Sequence, residues 1–209
     1  MFVAGALTFQ EFMLHESLPL ATIQQAVLEF LQGRDDAVVF GAQAVNAYVN
    51  EPRMTQDIDL LSSRAEQFAQ ELRDYLGERF HIAVRVRQVG QGKGYRLFQV
   101  QKPHNRHLVD VRSVETLPSA QRMADVLVMA PAELIASKVM AYCRRRGQPK
   151  SGTDWRDLAM LLLAFPEFKH DRSLVADCLR TAGAEPAVLT LWQELVAQEI
   201  HAEDEDGEF

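Results

Sequence analysis

The sequence predicts an α+β protein: a small mixed β-sheet with flanking helices, followed by an all-helical C-terminal part. Three observations carry this. Apolar residues recur at helical spacing over 20–32 and again over 64–79. Between 81 and 114 the period falls to two, with apolar and basic residues alternating. From Pro131 onward the pattern reads as helical. The expected organisation is an α+β domain over 1–130, a helical domain over 131–202 and an acidic, disordered tail over 203–209.

The first helix is LATIQQAVLEFLQ at 20–32. AVVF at 37–40 is a short buried strand, and Gly41 opens a helix directly after it, ended by Asn50-Glu51-Pro52. DIDLLSS, 57–63, is the next strand. The helix over 64–79 places Phe68, Leu72, Tyr75 and Leu76 on one face. HIAVRVRQV (81–89) and YRLFQVQ (95–101) are strands joined by the turn GQGKG, and HLVDVRSV (107–114) is a third. RMADVLVMA (122–130) adds one short strand. Helices follow at 131–146, 153–165, 171–182 and 186–201, with Pro131 and Pro186 in first turns.

Composition sets outer limits. The 209 residues are 47% apolar and 24% charged, ordinary for a soluble globular chain of one large or two small domains. No apolar run has the length of a membrane span, so no membrane partner is expected. The N-terminus lacks a basic segment and makes a poor secretion signal. Cys143 and Cys178 have no metal-ligand spacing, and a structural disulfide is not expected, which points to a reducing cytoplasm. Charge is segregated: residues 1–80 carry a net −7, residues 81–150 a net +9, and residues 151–209 a net −9. The basic middle either faces phosphates or nucleic acid, or pairs with the acidic flanks of the same molecule.

The chemistry concentrates in FGAQAVNAYVNEPRMTQDIDLL, 40–61. Asp57 and Asp59 are one residue apart on a strand and so share a face, while Ile58 and Leu60 take the other. Carboxylates this close repel, and a divalent cation held by hard oxygen donors relieves them; the alternative is a pair of exposed strand-end acids. Gly41 sits where backbone N–H groups can approach a phosphate at a helix start. Arg53 and Thr55 add a cation and a hydroxyl. Asp110 is the sole acid between 81 and 114. It either pairs with Arg85, Arg87 or Arg112, or completes a three-carboxylate metal site, and alternation puts it on one face with Leu108 and Arg112. Lys138 lies in the apolar stripe of its helix, so it snorkels to an edge or reaches a cleft. Asp154 is read as a first-turn capping acid, and Asp157 as a group that orients Lys138 or an arginine.

These motifs resemble the nucleotidyltransferase superfamily of the DNA polymerase β type. Gly41-Ala42 stands at its Gly-Ser or Gly-Gly helix start, Asp57-Ile58-Asp59 at its D-x-D, and Asp110 at its third carboxylate. The run Arg53-x-Thr55-x-Asp57-Ile58-Asp59-Leu60, the helix of Lys138 and the Arg156-Asp157 helix look most like the AbiEii/AbiGii toxin-like branch. The likeness covers roughly 36–165. It implies a nucleotidyltransferase-like fold and Mg²⁺-dependent transfer of a nucleoside monophosphate from an NTP to a hydroxyl or phosphate acceptor. Asp57, Asp59 and Asp110 would hold two Mg²⁺ ions, with Asp110 also assisting deprotonation of the acceptor. Lys138 would neutralise developing charge. Gly41, Ala42, Gln43, Arg53, Thr55 and Asp157 would form the nucleotide site. The branch further implies an RNA acceptor and an antitoxin partner. Ala42 departs from the pattern: either Gln43 substitutes through its amide for the missing hydroxyl, or nucleotide binding is weaker. Two alternatives follow, a catalytically silent binding protein that kept the fold and a small-molecule, antibiotic-type adenylyltransferase. GQGKG reads as a hairpin turn, His104 and His107 as residues flanking a turn, Cys143 as packing and Arg144–Arg146 as a solvated run beside the cleft.

Overall fold

The computed structural model describes residues 18–201. The N-terminal stretch and the acidic tail lie outside the described residues. The elements are α1 (Leu20–Leu31), β1 (Ala37–Phe40), α2 (Gly41–Tyr48), β2 (Ile58–Ser62), α3 (Ala65–Phe80), β3 (Val84–Val89), β4 (Gly94–Gln99), β5 (Arg106–Ser113), β6 (Ala120–Met123), β7 (Val126–Met129), α4 (Pro131–Arg145), α5 (Ser151–Ala164), α6 (Leu174–Thr181) and α7 (Pro186–Ala197). A short 3₁₀ turn spans Pro166–Phe168. The α+β class holds. No helix among the described residues is long and apolar enough to cross a membrane.

The strands form one mixed sheet in the order β3-β4-β5-β2-β1-β7-β6. β2 runs parallel to β5 and β1 parallel to β7, and the other neighbours are antiparallel. Registered residues share a face, so one row crosses five strands: Phe40, Asp59, Asp110, Arg96 and Arg87. On the opposite face Ile58, Leu60, Leu97, Val109 and Val111 are buried, and α3 packs there with Phe68, Leu72 and Leu76. Full burial of each such side chain stabilises by about 1.5–3 kcal/mol. One apolar cluster continues from there through Val38 and Val45 to Leu134, Ile135, Leu158, Leu161 and Trp192 of the C-terminal helices.

Three expectations are corrected. The single strand over 122–130 is a hairpin, β6–β7, because Ala124 and Asp125 both take positive φ (46° and 65°), the geometry of a two-residue turn. The strand expected from 81 starts at Val84, since His81 adopts a left-handed conformation (φ 53°) and ends α3. α5 begins at Ser151, two residues before the expected 153; Asp154 stays in its first turn as expected, but its side chain makes no capping bond. Pro131 and Pro186 do occupy first turns, and Cys143 and Cys178 are free thiols.

Candidate active site

The β2–β5 pairing sets Asp59 directly beside Asp110, with Asp57 just ahead of β2. All three line one cavity of about 700 Å³. Gly41, Ala42, Thr55, Arg96, His107 and Arg112 line it from the sheet side; Ser137, Lys138, Arg144 and Arg145 of α4, with Arg53, Lys150, Thr153 and Asp154, line it from the helical side. Gln43 is not in the lining, so its amide is not presented to the cavity in place of the missing hydroxyl.

Gly41 has a reason to be glycine that phosphate binding does not require. Its φ is +71°, and a Cβ there would lie 2.2 Å from Oδ2 of Asp59. The start of α2 is thus built against the Asp59 carboxylate. Asp59 is the least neutralised of the three acids. Burial raises its pKa, the like charges of Asp57 and Asp110 add to this, and the offsetting Arg112 guanidinium stands 3.9 Å away.

The other two acids have partners that sequence reading missed. Asp110 accepts a bidentate pair from Arg96 (2.6 and 3.0 Å), not from Arg85, Arg87 or Arg112. His107 bridges the carboxylates, Nδ1 lying 3.1 Å from Asp57 and Nε2 3.1 Å from Asp110. In an unbroken strand His107 and Asp110 would face opposite ways. A register shift opposite Leu97/Phe98 inserts Leu108 as an extra residue, turning it into the core and His107 onto the face of Asp110. This corrects the expected grouping of Leu108 with Asp110. Burial pushes the His107 pKa down, but the hydrogen bonds to Asp110 and Asp57 outweigh it and raise it to about 9. Burial pushes Asp110 up, and His107 and Arg96 overcome this to hold it at about 2. The His107 hydrogen bond likewise lowers Asp57. Asp57, His107 and Asp110 present ligand atoms within 4.8 Å of one another.

On the helical side, Lys138 (7% exposed) donates to Asp157 at 2.6 Å, and Asp157 is fully buried. Arg53 adds a bidentate pair to the same carboxylate at 2.7 and 3.0 Å. Asn46 fixes Arg53 by bonding both its backbone N–H and its carbonyl. Asp157 therefore engages Lys138 and an arginine together, from behind the cavity wall. Burial raises its pKa, and the two cations more than offset this. Thr55 spends its hydroxyl on the Asp57 carbonyl at 2.9 Å. Asp154 (4% exposed) is not a cap: it accepts two 2.8 Å bonds from Arg145.

Three carboxylates and a lysine lining one sheet-and-helix cavity raise the question of family. Residues 25–208 match the family model described as nucleotidyl transferase AbiEii toxin, type IV TA system. The chain belongs to the AbiEii family. It is a nucleotidyltransferase. Solved structures agree on the fold. A polyadenylate synthase of Megavirus matches at 15% identity with a TM-score of 0.59, over 74% of this chain and 33% of that one. This AbiEii-family chain thus spans about a third of that synthase. JHP933 of Helicobacter pylori matches at 10% identity and TM-score 0.51, over 91% and 92% of the two chains. ANT(2")-Ia, solved with adenylyl-2"-tobramycin, matches at 15% and 0.51, over 85% and 100%. At these identities the likeness carries the fold alone. No curated protein matches the AbiEii-family chain.

Proposed function

We propose that this chain transfers a nucleoside monophosphate from an NTP to an RNA acceptor, with Mg²⁺ held by Asp57, Asp59 and Asp110, as a toxin-like enzyme of the cytoplasm with an antitoxin partner. The observation that carries the reading is the under-neutralised Asp59, in register with Asp110 and lining one cavity with Asp110 and Asp57. Hard oxygen donors with an unmet negative charge fit a divalent cation. When bound, the metal supplies charge neutralisation for the triphosphate and for both reacting oxygens.

The protein's own groups do the rest. Lys138 and Arg53, fixed by Asp157, bring positive charge to the wall opposite the carboxylates. They orient the triphosphate and offset charge that develops as pyrophosphate leaves. Gly41 and Ala42 form the floor beside Asp59. The acceptor oxygen forms its bond to the α-phosphorus, the α–β phosphate bond breaks, and the acceptor proton passes to solvent. Asp110, clamped by Arg96 and His107, is retained as a metal ligand and not as the base. The helices from Pro131 act as a unit that closes the cavity over the sheet.

Two measurements test this. The first is thermal shift with Mg²⁺ and a non-hydrolysable NTP. A rise in Tm for the native chain that Asp57→Ala abolishes is expected; no rise in either leaves the silent-binder reading. The second is incubation of α-labelled NTP with total RNA. Label retained on RNA is expected, and label recovered only on small molecules moves the assignment to a small-molecule adenylyltransferase.

A further inference from the structure

The face of the sheet that carries the carboxylates does not end at them. On β3, Arg85 and Arg87 point to that face, in register with Phe98 and Arg96 of β4. Both arginines are exposed, and neither makes a hydrogen bond or ion pair with any described residue. Several other cations of the basic middle segment are engaged instead. Arg96 is used on Asp110, Arg122 on Asp35, Lys138 on Asp157, and Arg145 on Asp154. Among the described residues no helix packs on this face of β3 and β4; α3 takes the other one. Phe98 is half-buried on the open face, with its ring 5.3 Å from that of His107.

We propose that this open face of β3 and β4 is the track for the acceptor, a single-stranded polynucleotide whose reacting end lies at the carboxylates; the inference rests on the transferase reading above and names where its acceptor binds. Arg85 and Arg87 are two residues apart on a strand, about 7 Å, close to the spacing of successive phosphates in an extended single strand. Strands lie about 4.8 Å apart, so β3 is only about 10 Å from the strand of Asp110, within reach of the chain next to the reacting nucleotide. Phe98 lies between, where an unpaired base can stack while the arginines hold its backbone. A base-paired duplex has no free base face for Phe98. A small acceptor would fit inside the cavity and leave the two arginines idle.

The test uses the full-length chain and a fluorescein-labelled RNA single strand, titrated by polarisation over a range of salt. The native chain should bind this strand more tightly than a duplex of the same sequence. Arg85→Ala/Arg87→Ala should weaken binding and reduce the slope of log K against log salt by about 1.4, at roughly 0.7 per phosphate contact. Phe98→Ala should weaken binding roughly fivefold or more and leave the slope unchanged. Arg73→Ala/Arg180→Ala, two exposed helix arginines paired with acids beside them, is the control and should match the native chain. A DNA strand of the same sequence separates contacts to the shared phosphate backbone from those to the 2′-hydroxyl. Unchanged affinity and slope in the β3 double variant overturn the track and leave these arginines to an acidic protein partner; so does equal binding of the duplex. The Mg²⁺–NTP thermal shift separates the two readings. If it persists in the double variant while RNA binding falls, both stand. If it persists and RNA binding is unchanged, only the track fails. If the native chain lacks it, the transferase reading fails first.

Discussion

Two charged clusters face each other across the cavity, and they are built in opposite ways. On α4 and α5, one carboxylate, Asp157, serves two cations, Arg53 and Lys138. It is fully buried, every bond is short, and one positive charge is in excess. On the sheet, His107 bridges Asp57 and Asp110, Arg96 clamps Asp110, and Asp59 has Arg112 at the limit of contact. That cluster is partly open, and with His107 protonated its negative charge is balanced only by counting Arg112, 3.9 Å from Asp59. The difference separates two kinds of polar site. A buried group with saturated partners fixes geometry. An open group with unmet charge is where a ligand's charge is neutralised. A triphosphate with its metal carries both complements, and the cavity lies between them.

The sharpest way to break this contrast is to neutralise one member on each side and compare activity with stability. Asp59→Asn should lower transferase turnover by at least roughly 10²–10³-fold, the scale for losing one preorganised electrostatic group. It should leave Tm unchanged or raised, because a repelled carboxylate is removed. Asp157→Ala should do the reverse in kind, costing about 3–5 kcal/mol in denaturant unfolding by stranding two cations at a buried site. A stability loss for Asp59→Asn as large as that for Asp157→Ala would remove the distinction.

Gly41→Ala comes next. Left-handed φ alone costs about 1–2 kcal/mol for a residue with a Cβ, and the added methyl would meet Asp59 at 2.2 Å. The expected outcome is a Tm drop with a disproportionate loss of Mg²⁺-dependent NTP binding. A simple Tm drop with normal binding would show that the contact with Asp59 carries no function.

The smallest expected effect is the pH response of the metal-free chain in EDTA. His107 sits near 9 in the folded protein against an ordinary value of 6.5. A raised value means that its bonds to Asp57 and Asp110 contribute fully below 6.5 and are lost as pH rises through about 9. Tm should therefore drift downward between those limits, and His107→Gln should flatten the drift. An unchanged drift in the variant would assign it to other groups.

Much of the sheet side could be read from residue order alone. The period-two strands, the glycine after AVVF and the acids of DIDLL all depend on neighbours in the chain, which is what a sequence displays. Lys138 and Asp157 were legible for the same reason, as polar residues in apolar helical stripes. What escaped depends on departures from regularity. His107 looked like a turn residue because its direction is set by the bulge at Leu108; the consecutive apolar pair Leu108-Val109 was the available sign that alternation breaks there. Asp154 is legible as a first-turn acid, but its bond to Arg145 depends on how α4 packs against α5. The hairpin at Ala124-Asp125 hid because neither residue is a glycine or an asparagine. Arg96 was one arginine among several, and only the cross-strand register with Asp110 singles it out.

The parallel pairing of β2 with β5 also bears on how the chain folds. It joins segments about fifty positions apart, a non-local contact that forms late and slowly in mixed α/β domains. It also closes by laying Asp59 alongside Asp110, so the final approach of the two strands runs against like charge. Refolding should therefore speed up with added salt, which screens that repulsion, while the local α3–β3–β4 segment should form at a rate indifferent to it. The feature that concentrates charge for chemistry is, for the unfolded chain, an electrostatic barrier near the end of its folding path.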